Sequence, residues 1–76
     1  MPTKRTYLVF GFETESRLFA GSPSYGVMVD AATPEGAVEI VVERKRGAGK
    51  FRHWGVCAES NFTMMEIGAG GRIHLY

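Results

Sequence analysis

The residues able to do chemistry are few and poorly grouped. His53, Cys57 and His74 are the soft metal-ligand candidates, and a zinc centre needs such donors clustered in sets of three or four. His53 and Cys57 would share a strand face two pleats apart, with no Cys-x-x-Cys or His-x-x-x-His pairing to complete a site. Cys57 lies in an apolar strand and reads as a small buried hydrophobe. Neither histidine neighbours a Gly-x-Ser-x-Gly elbow. Glu35, Glu39 and Glu43 recur every four residues, which is the pattern of a solvated helix face before it is that of paired catalytic carboxylates. Gly47-Ala48-Gly49-Lys50 lacks phosphate-loop spacing and a following helix, and Gly68-Ala69-Gly70-Gly71 sits between two short strands, so both read as turns. No metal, no cofactor and no enzymatic activity is expected.

What remains is charge. Arg44, Lys45, Arg46, Lys50 and Arg52 are five of the nine lysines and arginines in the chain, gathered within nine residues and followed by Trp54. Formal net charge is only +1, so this concentration implies a dipolar molecule. Cations among aromatic rings suit a phosphate backbone, stacked bases or an acidic protein surface. Alternation along an extended segment would turn Phe51 and His53 one way and Arg52 and Trp54 the other. Trp54 is thereby either core or an interface anchor beside Arg52. The expected partner-binding set is Arg44, Lys45, Arg46, Lys50, Arg52 and Trp54, and the bland alternative is that the arginines merely complement a helix C-terminus.

The remaining composition sets bounds. Seventy-six residues, 45% hydrophobic and 22% charged, make one globular domain spanning 1–76, near the lower size limit for folding without disulfides or metals. No apolar run approaches the ~20 residues of a membrane span. A lone cysteine allows no internal disulfide, and the start of the chain shows no secretory pattern, so a reducing, cytoplasmic setting is expected.

The elements that must position the charges follow from periodicity. Thr6–Phe12 is β-branched and aromatic and reads as a buried strand. The polar segment from Glu13 to Ser24 reads as a loop or long hairpin tip. In Tyr25–Ala31, the residues Tyr25, Val27, Val29 and Ala31 share one face. Thr33 then caps a helix, Pro34 suits its first turn and Glu35 complements its dipole. Ala37, Val38, Val41 and Val42 recur at helical spacing, Arg44-Lys45-Arg46 occupy the last turn, and Gly47 stops it. The β-branched run Val38–Val42 favours instead a hairpin turning at 47–49, but capping and charge order agree with the helix. Strands over Phe51–Ala58, Phe62–Ile67 and Arg72–Tyr76 complete the order ββαβββ. One helix cannot connect many parallel strands, so the expected class is α+β, a mostly antiparallel sheet of about five strands with a single helix on one face.

The junction Val27-Met28-Val29-Asp30-Ala31-Ala32-Thr33-Pro34-Glu35-Gly36-Ala37, a strand running through Ala-x-Thr-x-x-x-Ala into one helix, resembles small phage-encoded proteins, among them type I anti-CRISPR proteins. The resemblance implies a non-catalytic inhibitor acting in the host cytoplasm, docking on a host protein or ribonucleoprotein complex such as Cascade and blocking DNA recognition. Eight acids against nine bases do not imitate a polyanion, so the implied mode is steric blocking or altered engagement of nucleic acid through a mixed-charge face. Two other readings stand beside it. One is a small domain that binds nucleic acid directly through 44–54, and the other is a homodimer or larger homo-oligomer pairing through the C-terminal strand. Met28, Met64 and Met65 read as core or adaptable edge contacts.

Overall fold

The computed structural model describes residues 4–44 and 48–76. Five strands, β1 (Arg5–Phe12), β2 (Tyr25–Ala31), β3 (His53–Ala58), β4 (Asn61–Ile67) and β5 (Ile73–Leu75), form one sheet in the order β2-β1-β3-β4-β5. Every neighbouring pair is antiparallel. The main helix, α2 (Pro34–Arg44), crosses from β2 to β3 on one face, and a shorter helix, α1 (Glu15–Ala20), follows β1. The architecture is α+β in the expected order, with α1 as an addition inside the segment read as a loop.

Alternation decides which side of the sheet α2 covers. Val9 stands opposite both Val27 and Val56, and Trp54 opposite Gly11 and Met65. These side chains share one face and meet Ala37, Val38 and Val41 of α2 in a single buried cluster. The apolar stripe of α2 therefore packs on the apolar side of the pleat, and Glu39 and Glu43 are left exposed. Thr33 starts the helix by accepting a hydrogen bond from the Gly36 amide through Oγ1 at 2.9 Å, satisfying a donor that the first turn otherwise leaves orphaned.

α1 is built by capping rather than by periodicity. Thr14 Oγ1 accepts from the Arg17 amide at 3.1 Å, and Gly21 ends the helix at φ +70°, a left-handed conformation that glycine adopts without cost. Its one buried residue, Leu18, lies with Phe12 outside the cluster under α2, so α1 covers one end of the opposite face. Tyr76 fastens it there. The Tyr76 hydroxyl donates to Glu15 Oε2 at 3.3 Å and lies 2.9 Å from His53 Nδ1, and its ring meets Phe19 edge-on at 5.7 Å.

Candidate functional site

The cations gather at the end of the sheet where α2 terminates. Arg44 closes α2, a 3-10 turn covers Ala48–Lys50, and Arg52 directly precedes β3. Arg44, Lys50 and Arg52 are all exposed. Lys45 and Arg46, the other two members of the expected set, lie outside the described residues. Among the described residues, no lysine or arginine comes within 4.0 Å of a carboxylate oxygen, so no internal ion pair engages these cations. A fourth described cation belongs here that the sequence reading missed. The Ile67 amide donates to the Arg52 carbonyl and the Gly68 amide to the Arg72 carbonyl, each at 2.7 Å. Those bonds bring exposed Arg72 to the same sheet end. Its only sequence signal was a position just after a glycine turn.

The aromatic residues hold this end together from inside. Phe51, between Lys50 and Arg52, is buried and stacks on Tyr25 with ring centroids 5.9 Å apart. Trp54 meets Phe51 edge-on at 5.9 Å and donates Nε1–H to the Phe51 carbonyl at 3.0 Å. A side chain at Gly11 would come within 3.0 Å of the Phe51 ring and 3.3 Å of Trp54; the bare backbone of β1 there is what lets both rings settle. Phe51 thus plugs the loop into the core, and the flanking Lys50 and Arg52 stay at the surface. Lys50 Nζ sits 5.2 Å from the Phe51 ring centroid, within cation–π range.

This arrangement corrects one expected member of the site. Trp54 has no exposed surface and cannot act as an anchor for a partner. The reason is register: opposite Gly11 on one side and Met65 on the other, its ring fills the space beneath α2. Met65 is likewise core, whereas Met28 is 66% exposed.

The remaining chemical candidates stand apart. His53 and Glu66 are cross-strand neighbours, with Nδ1 3.9 Å from Oε2. His74 lies across from Glu66 on β5, but its ring approaches Gly68. Cys57 is half-buried. No three His, Cys, Asp or Glu residues among those described are placed to hold a metal ion. Among the described residues, Tyr76 is the one titrating group displaced from its ordinary value, which for a tyrosine is 10.0. Burial of its hydroxyl raises it first, although half the residue is exposed, and the charges of Glu66 and Glu15 and the hydrogen bond to Glu15 raise it further. Glu39 and Glu43 rim a groove of about 360 Å3 floored by Val38, Val42, Ile67 and Ile73.

The fold and site define a small α+β domain with a cationic sheet end and, among the described residues, no helix long and apolar enough to cross a membrane. No protein-family model, curated protein or solved structure matches the chain.

Proposed function

We propose that this protein is a non-catalytic docking protein whose cationic end meets an anionic surface. The observation that carries the reading is the set Arg44, Lys50 and Arg52, joined by Arg72, exposed at one end with no carboxylate engaging them. Lys45 and Arg46 extend the set in sequence. Unpaired cations at one end of a small body create a directional field that steers it toward phosphate or acidic protein. In particular form, the protein is an inhibitor of the type I anti-CRISPR kind. It docks on a host nucleic-acid-targeting complex such as Cascade and obstructs DNA recognition by occupying space.

The test is competition. Purified Cascade is incubated with labelled target DNA and increasing protein, and DNA binding is followed by anisotropy, with naked DNA in parallel. Loss of DNA binding by the complex, with no shift of naked DNA by the protein alone, supports the inhibitor. A shift of naked DNA that fades steeply between low and physiological salt replaces it with direct nucleic-acid binding. If neither occurs, the docking reading for this end fails.

A further inference from the structure

At the sheet end where α2 begins, remote from the cationic end, lies a cleft of about 380 Å3. Arg5 and Tyr7 of β1 and Asn61 and Thr63 of β4 line it. Register puts all four on the side of the sheet that α2 covers. Arg5 stands opposite Ala31, Thr63 opposite Val56 and Asn61 opposite Ala58, and those three partners, like Tyr7, belong to or pack against the core under α2.

We infer that this cleft binds a small organic anion, a carboxylate or phosphate head on a compact apolar body, with Arg5 and Tyr7 holding the head. The Tyr7 hydroxyl carries the argument. Tyr7 is only 5% exposed, and among the described residues nothing hydrogen-bonds its hydroxyl. A tyrosine hydroxyl at such depth ordinarily has a partner within the protein. No fully buried side-chain oxygen or nitrogen is left unsatisfied, so this hydroxyl is not sealed in. It reaches solvent through the cleft that Tyr7 lines, with its donor uncommitted.

Charge and size choose the occupant. Arg5 is exposed, and among the described residues no carboxylate comes within 4.0 Å of it or lines the cleft. A guanidinium presents two parallel donors that match an oxyanion. The Asn61 and Thr63 side chains are likewise free of hydrogen bonds among the described residues and add neutral donors. Pro34 in the wall opens α2, and that end of a helix favours negative charge. A bare ion would leave most of the volume empty, which falls in the range of small-molecule sites. Val56, Ala58 and Pro34 offer apolar wall for the rest of the ligand.

Titration of the isotope-labelled full chain, followed by backbone amide shifts at constant ionic strength, tests this with benzoate, phenyl phosphate, inorganic phosphate and neutral benzamide. Benzoate or phenyl phosphate should give saturable shifts at Arg5, Tyr7, Ala58 and Thr63 at roughly millimolar concentration. Arg5→Gln should weaken that binding about tenfold or more, and Tyr7→Phe about threefold to tenfold. Tyr7→Phe should leave the urea midpoint where it is, because the hydroxyl has no partner in the protein to lose. The inference is overturned if neither organic anion saturates these residues by tens of millimolar, or if shifts are confined to Arg44, Lys50 and Arg52. Benzamide binding as well as benzoate removes the role of Arg5 and overturns it too. Inorganic phosphate matching phenyl phosphate means an adventitious ion only, and Tyr7→Phe binding like the parent removes the hydroxyl; either result also overturns it.

Discussion

Replacing Trp54 by Phe separates a structural role from a binding role, because Trp54 sits among the cations in sequence and beneath α2 in space. The indole makes one polar contact, Nε1–H to the Phe51 carbonyl at 3.0 Å in a buried setting. Phenylalanine leaves that carbonyl without its donor, at a cost of about 1–3 kcal/mol. The phenyl ring is smaller by roughly 40 Å3, and an unrelaxed cavity at ~24 cal/mol per Å3 adds about 1 kcal/mol. The total of about 2–4 kcal/mol is a large share of what a domain of 76 residues possesses at ~0.05–0.15 kcal/mol per residue. With a urea slope near 1 kcal/mol/M, the unfolding midpoint should fall by about 2–4 M, or the variant should unfold outright if the parent is at the weak end. Far-UV circular dichroism follows the transition without needing tryptophan. Binding is then measured below the new transition, where affinity for the anionic partner should equal that of the parent. An unmoved midpoint, or a stable variant that no longer binds, refutes the assignment of Trp54 to the core.

Three further outcomes are expected. Substituting Arg44, Lys45 and Arg46 together by Ala should flatten the salt dependence of binding to duplex DNA or to a nucleic-acid-bearing complex by about 2.7 logarithmic units per decade, at ~0.9 for each phosphate no longer neutralised. Stability should fall by no more than about 1–3 kcal/mol, and an unchanged slope would place the contact surface elsewhere. Thr33→Ala removes the acceptor of the Gly36 amide and should cost about 1 kcal/mol in urea unfolding; no loss would mean that α2 starts without this cap. Tyr76 should ionise above 10.0, seen as the difference in ultraviolet titration between the parent and Tyr76→Phe. A raised folded-state value means that its contribution to stability is complete below pH 10 and disappears as pH climbs through the raised value. Glu15→Gln should move that midpoint back down, and a midpoint that stays put would remove Glu15 as a cause.

The sheet, its antiparallel pairing and α2 were legible in the sequence because each rests on a strong local pattern. β2 alternates cleanly. Thr33, Pro34 and Glu35 mark a helix start, and the turn Gly68–Gly71 separates the last two strands. α1 was not legible, since six residues with one buried side chain carry no helical period. Its cap at Thr14 and stop at Gly21 were the only signs. The orientation of Trp54 was left open because a single strand's alternation yields two faces without saying which one is covered; the pairing with Gly11 and Met65 decides it. Arg72 was overlooked for a related reason. It lies twenty residues beyond Arg52, and only the β3-β4-β5 pairing folds that distance away.

The order β2-β1-β3-β4-β5 has a kinetic meaning for a chain made from one end to the other. β1 is made before both of its neighbours in the sheet, and one of its flanks stays empty until the stretch from His53 to Ala58 has been synthesised. Until then the earlier half holds a two-stranded ribbon that α2, already made, can cover on one face only. Closing so distant a pairing carries a loop-entropy cost before it yields any contact. Folding should therefore be slow for a domain of this size compared with a helical bundle, whose contacts are local.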